Sequence, residues 1–172
     1  MNDDEATKGG FAKHVEAQTK KDHMMLSERA GEGVGILCIM LVIYFFVLHQ
    51  TSSTGFFTPK FGPVEVFFFY APILFGAGTA AARGILGRRN AIRPLDVFGG
   101  VLSTVALIWL YSVFPFDFSH ITDVLPGFLR FTVQWASNDI VRFFMMMGII
   151  ATPIMAVYTS VLYVFVRREL KS

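Results

Sequence analysis

The segment Phe144–Val166, FMMMGIIATPIMAVYTSVLYVFV, runs for 23 residues without an Asp, Glu, Lys, Arg or His. A helix of that length spans about 35 Å, enough to cross a hydrocarbon core of about 30 Å. Three shorter stretches share the property: Val34–Leu48, Val66–Ala82 and Phe98–Phe114. At about 20 residues per span, four crossings occupy roughly half of the chain and leave little for a separate soluble domain. Composition agrees, because only 16% of the 172 residues are charged and 53% are hydrophobic, whereas soluble domains carry about 25% charge.

Working outward from these runs, the expected spans are about Gly33–His49, Pro63–Gly84, Asp96–Phe114 and Asp139–Val166. The first has 15 continuously apolar residues, about 23 Å, so Ala30, Gly31, Gly33 and Thr51 must extend it. Pro63 suits a first helical turn, where its missing N–H costs nothing. Pro72 and Pro153 lie inside their spans, and proline there frees a carbonyl and kinks the helix. The expected organisation is a polar tail over residues 1–32, a four-helix transmembrane domain over 33–168 and a short tail over 169–172.

Residues Met1–Glu32 carry five positive and seven negative charges, so no secretory signal opens the chain and the first apolar run reads as an uncleaved anchor. The tail reads as a mobile start, broken at Gly9–Gly10, then a helix running up to the membrane with Asp22 or Ser27 as cap. Phe11, Val15 and Met25 give it only a weak apolar stripe.

Lysines and arginines near span ends are retained on the cytoplasmic side. Ten belong to one side: Lys20, Lys21, Arg29, Arg83, Arg88, Arg89, Arg93, Arg167, Arg168 and Lys171. Three belong to the other: Lys60, Arg130 and Arg142. An even number of spans puts both termini on one side, and the charge count makes that side the cytoplasm, in a cell or inner membrane. Each half is a hairpin with a proline in its second span and an Arg-Arg pair behind it, Arg88–Arg89 and Arg167–Arg168; with so few matches this reads as coincidence rather than duplication.

The connection Pro115–Asn138 is long enough for structure of its own. Over Phe128–Ser137, helical spacing puts Arg130, Gln134 and Ser137 on one stripe, with Phe128, Leu129, Phe131, Val133 and Trp135 around the rest. That pattern predicts an outer interfacial helix with Trp135 at headgroup level. The fold class is therefore all-α: an integral membrane bundle of four transmembrane helices, with this interfacial helix between helices 3 and 4.

Small residues recur at four-residue spacing. Gly76, Ala80 and Gly84 continue a line from Pro72 along the second span, and Gly148, Thr152, Ala156 and Ser160 form another along the fourth. Such faces let backbones approach closely in lipid, either within one bundle or against another chain. Gly99 with Ser103 and Gly100 with Thr104 add a shorter version on the third span. At the outer ends of the second and fourth spans, Glu65 and Arg142 are candidates for an interfacial ion pair, which would contribute only about 0–1 kcal/mol.

The apolar runs contain no ionisable residue, which argues against charge-driven pumping and voltage sensing. They hold no histidine pair for haem. Their hydroxyls, among them Tyr44, Thr79, Thr104, Thr152 and Ser160, suit back-bonding to the preceding turn more than a solute path. His49, Asp117, His120, Asp123 and Asp139 collect on the outer side, and His14, Glu16 and His23 on the tail. Without HExxH or a cysteine cluster, they read as solvated residues and not as a metal site. Met145, Met146 and Met147 point around the helix and so cannot converge on one ion. The lone Cys38 excludes an intrachain disulfide. A net charge of +2 gives no reason to expect nucleic acid. Fifteen of the 19 phenylalanines fall in the outer half, as an aromatic belt or as a groove for an acyl chain or helix.

No motif is specific enough to name a family. The expected role is a non-catalytic membrane subunit or scaffold without cofactor or metal, packing through small-residue faces against a copy of itself or another membrane subunit. A small oligomeric channel or carrier for a neutral or weakly charged solute is the alternative, and an enzyme built on the outer His/Asp group comes third.

Overall fold

A computed structural model of the chain describes residues 10–169, apart from the side chains of Phe11 and Ala12. The break at Gly9, the share of Phe11 in the apolar stripe, Lys171, and residues 170–172 of the C-terminal tail lie outside the described residues. Five α-helices follow in order: α1 Gly10–Lys20, α2 Leu26–Thr51, α3 Pro63–Leu86, α4 Arg89–Val113 and α5 Asn138–Glu169. The last four are long and apolar enough to cross a membrane.

The helix boundaries are set by local capping bonds. α2 starts at Leu26, not near Gly33, because the Glu28 carboxylate accepts the Met25 N–H at 3.0 Å, the reciprocal half of a capping box. Glu65 does the same for the Gly62 N–H at the start of α3, also at 3.0 Å. α3 ends at Gly87, whose φ of 62° is left-handed and whose N–H reaches the Arg83 carbonyl at 2.9 Å; glycine takes this C-terminal conformation without steric cost. α4 starts at Arg89 and carries Pro94 within it, where the sequence places a connection reaching to Asp96.

α2 packs on α3, α3 on α4, α4 on α5, and α5 on α1. The row does not close tightly: among the described residues, α2 and α5 are not closely paired, and three cavities draw wall residues from both of them. The described part of the polar tail belongs to the fold. α1 lies on the end of α5, with Val15 buried against Leu162 and Val166, and a bond of 2.9 Å joins Tyr158 Oη to His14 Nε2.

The end opposite the termini is closed by an aromatic plug. Phe56, from the loop between α2 and α3, is 1% exposed. Its ring centroid lies 4.9 Å from Phe57, 5.1 Å from Phe118, 5.5 Å from Phe46 and 5.8 Å from Phe116. The two loops are tied by backbone bonds from Thr58 N–H to the Pro115 carbonyl, 3.0 Å, and from Asp117 N–H to the Phe56 carbonyl, 2.7 Å. His49 is also 1% exposed and joins both loops: its Nε2 lies 3.2 Å from the Ile121 carbonyl and its Nδ1 2.7 Å from Thr54 Oγ1. A carbonyl can only accept, so the proton sits on Nε2 and Thr54 donates to Nδ1. Many outer phenylalanines thus form an interior, while Phe67, Phe128, Phe131, Phe143 and Phe144 face outward.

The α-helix expected over Phe128–Ser137 is not formed. Gly127–Thr132 is a 3-10 helix of six residues, followed by a turn. Side chains take backbone carbonyls here: Arg130 Nε donates to that of Leu125, Thr132 Oγ1 to that of Leu129 and Trp135 Nε1 to that of Thr132. Such local bonds compete with the helical ladder.

Candidate functional site

The densest polar chemistry lies at the end that carries the termini, on side chains from four helices. Arg83 of α3 forms a double bridge, with Nη1 2.8 Å from Glu32 Oε1 on α2 and Nη2 2.7 Å from Asp96 Oδ1 on α4. Arg89 of α4 reaches Glu28 of α2 at 2.8 Å. Arg93, one helical turn further along α4, donates from Nη2 to Gln18 Oε1 of α1 at 2.8 Å. These residues line a cavity of about 650 Å³ whose remaining wall comes from Met24, Gly31, Thr159 and Leu162.

The tail before α2 caps two helices that are not its own. The Asp22 carboxylate accepts the Asn90 N–H at 2.9 Å and its backbone carbonyl accepts the Arg89 N–H at 3.0 Å. Both are donors that an isolated helix start leaves unpaired. Met24 N–H donates to the Gly87 carbonyl at 2.9 Å. Arg29 places its guanidinium on the C-terminal carbonyls of α3, with Nε 2.6 Å from Gly84 and Nη2 3.2 Å from Ile85, where a cation also opposes the negative end of the helix dipole. Asp22 therefore caps α4 rather than α2. Asp22→Ala is expected to lower stability by about 1 kcal/mol, with faster hydrogen exchange confined to the first turn of α4.

The sequence sees these arginines only as markers of membrane side, not as a network. The available signal was the matching set of acids beside them, Glu28, Glu32 and Asp96, each next to an apolar run.

The small-residue candidates divide by partner. On α5, the Gly148, Thr152 and Ala156 line seats against α4. A Cβ on Gly148 would meet Leu107 at 3.0 Å, and one on Gly100 would meet Ala156 Cβ at 3.1 Å. The hydroxyls of Thr152 and Thr104 lie 2.8 Å apart. Ser160 bonds back to the Ala156 carbonyl. On α3, Gly84 faces α2, where an added Cβ would make an ordinary contact, 3.7 Å from Glu32 Cβ. Ala80 is half-buried, and Gly76 has open space where a side chain would project.

Glu65 and Arg142 are not brought together. Glu65 is buried and accepts the Trp109 indole N–H at 3.0 Å on its second oxygen. Arg142 stacks over the Phe114 ring, 4.0 Å from its centroid. An aromatic face and an indole donor satisfy the two groups separately.

At the same end, Asp117 accepts the Ser119 hydroxyl at 2.8 Å and its N–H at 3.1 Å. These bonds hold its carboxyl below the usual range, so the stability they lend is present above that range and lost as pH falls through the lowered pKa. His120 Nδ1 pairs with Asp123 at 2.9 Å. Among the described residues, no three His, Cys, Asp or Glu side chains converge on one point that could hold a metal ion.

No protein family, curated protein or solved structure matches this chain.

Proposed function

We propose that the chain is a non-catalytic membrane subunit or scaffold, spanning the bilayer four times with both termini in the cytoplasm. The observation that carries this reading is the state of the hydroxyls within the spans. Thr79 and Ser160 each donate to a carbonyl three or four residues back in their own helix, and Thr104 and Thr152 share their two protons between such carbonyls and each other, so they offer little to a solute. The wall of the cavity near the aromatic plug is built from residues such as Phe46, Phe68, Ile73 and Leu107. A neutral polar solute would lose its hydration there without replacement.

Assembly is supported by α2, which buries only His49 among its own residues. Gly33, Leu37, Met40, Tyr44 and Val47 fall on one face of it at helical spacing and are exposed. A small residue beside large apolar ones suits a second helix, in a copy of this chain or another subunit. The segment between α4 and α5 lies on the outer interface, with Phe128, Phe131 and Trp135 exposed toward lipid.

Two measurements test the proposal. Proteoliposomes containing the chain are expected to pass glycerol and urea no faster than protein-free vesicles. Cross-linking in native membranes is expected to give an assembly of defined mass larger than the 19.2 kDa chain. Solute flux above the protein-free rate, or a chain that remains a monomer in the membrane, overturns it.

A further inference from the structure

The cavity at the arginine-rich end contains a charge whose donors are not all used. Arg93 is 7% exposed, and among the described residues its only hydrogen-bonded partner is the neutral amide of Gln18. Among the described residues, its buried Nη1 has no hydrogen-bond partner, nor has the buried Nε of Arg89 on the preceding turn. Nearby carboxylates are already engaged: Glu32 and Asp96 by Arg83, Glu28 by Arg89, and Asp22 by the N–H of Asn90. A buried guanidinium donor left empty costs free energy, and an oxyanion placed there recovers it through a charge-assisted bond.

Depth and access select the kind of anion. Arg93 precedes Trp109 by 16 residues on α4, about 24 Å of helix, and Trp109 bonds Glu65 at the start of α3. With one end of a core of about 30 Å near Trp109, Arg93 falls about 6 Å short of the opposite boundary, a distance that a long arginine side chain covers toward the headgroup level. The cavity is walled by Gly31 of α2 and by Thr159 and Leu162 of α5, the two helices that do not close on each other. Gly31 and Gly35 have open space where a side chain would project. Gly31, Gly35, Cys38, Val42 and Phe45 share one face of α2 at helical spacing, and Val42 and Phe45 line a second, apolar cavity toward the other end. A track of small residues therefore leads from the guanidinium into an apolar cleft.

The geometry points to a binding site for one phospholipid of the cytoplasmic leaflet, with its phosphate in the cavity against the guanidiniums of Arg89 and Arg93 and an acyl chain along the α2–α5 cleft. The site goes beyond the subunit role and shares with it only the four spans and their orientation. The cavity is lined by three guanidiniums and three carboxylates, Arg83, Arg89 and Arg93 against Glu28, Glu32 and Asp96. It therefore reads the phosphate rather than the net charge of the headgroup.

The test uses the full chain in mild detergent, stripped of lipid and titrated with mixed micelles, with bound lipid read by native mass spectrometry. One dioleoyl phosphatidylglycerol or dioleoyl phosphatidylethanolamine per chain is expected to bind. Dioleoylglycerol, which has the same chains and no phosphate, is expected not to, and millimolar inorganic phosphate is expected not to displace the lipid. Arg93→Gln is expected to weaken binding about tenfold or more. Gly31→Leu, which blocks the track without touching the guanidinium, is expected to do the same and keeps the test decisive if the arginine variant misfolds. Arg167→Gln with Arg168→Gln, basic residues outside the cavity, is expected to bind as the parent does. Equal binding of dioleoylglycerol, displacement by inorganic phosphate, or undiminished binding by Gly31→Leu overturns the site. None of these outcomes alters the mass of the cross-linked assembly, so the two proposals fail separately.

Discussion

Phe56→Ala is expected to destabilise the purified protein by about 3–5 kcal/mol, the range for removing a fully buried aromatic side chain from a packed interior. The size of the effect follows from position. Phe56 sits in a connecting loop, yet it contacts rings from α2 and from the connection after α4, and its backbone carbonyl holds Asp117. Deleting the ring leaves a void that neither loop can fill without breaking the backbone bonds between them. The check is reversible unfolding in one fixed detergent, with Phe128→Ala as the control, because Phe128 is 74% exposed and its loss is expected to stay within about 0.5 kcal/mol. Similar losses in the two variants would mean that the plug does not hold this end together.

The second large effect is expected at the other end. Arg83→Met removes the one cation shared by Glu32 and Asp96 and leaves two carboxylates facing each other, with side-chain exposures of 20% and 30%. A fully buried pair broken in this way loses about 3–5 kcal/mol, and partial hydration at this boundary reduces the expected cost to about 2–3 kcal/mol. The penalty comes from stranded charge, so neutralising both acids as well, in Arg83→Met with Glu32→Gln and Asp96→Asn, is expected to recover at least about 1 kcal/mol. Additive losses across the three substitutions would show that the bridge is an incidental contact.

Both effects belong to features that the sequence does not display, and the reason is the same in each. Four helices long and apolar enough to cross a membrane can be read directly because freedom from titratable residues is a local property: Phe144–Val166 announces itself without reference to any other segment. The plug depends on which phenylalanine meets which. Fifteen of them in one half of the molecule specify an aromatic region but not that Phe56, from a loop, becomes its centre. Asp22 likewise has the chemistry of a cap, and nothing within its own ten neighbours says that it serves α4, 68 residues away.

The expected interfacial helix shows the opposite difficulty. The stripe of Arg130, Gln134 and Ser137 is present in the sequence, but Thr132, Arg130 and Trp135 bond locally to the backbone, and the chain turns after six residues of 3-10 helix. Glu65 and Arg142 are near the same end, as counted along their helices, but each has a nearer partner in Trp109 and Phe114. At the candidate site, the arginine count marks one side of the chain and says nothing of the partners these side chains find. Finding the cavity required the question of which arginine lacks an acid, and only the packed helices pose it.

Accessibility of single cysteines in intact, right-side-out cells tests the four-span topology most directly. In a Cys38→Ala background, a membrane-impermeant maleimide is expected to label K60C and S119C from outside and to reach R88C and R167C only after the membrane is opened. Labelling of R88C and K60C from the same side of the sealed membrane would contradict the account.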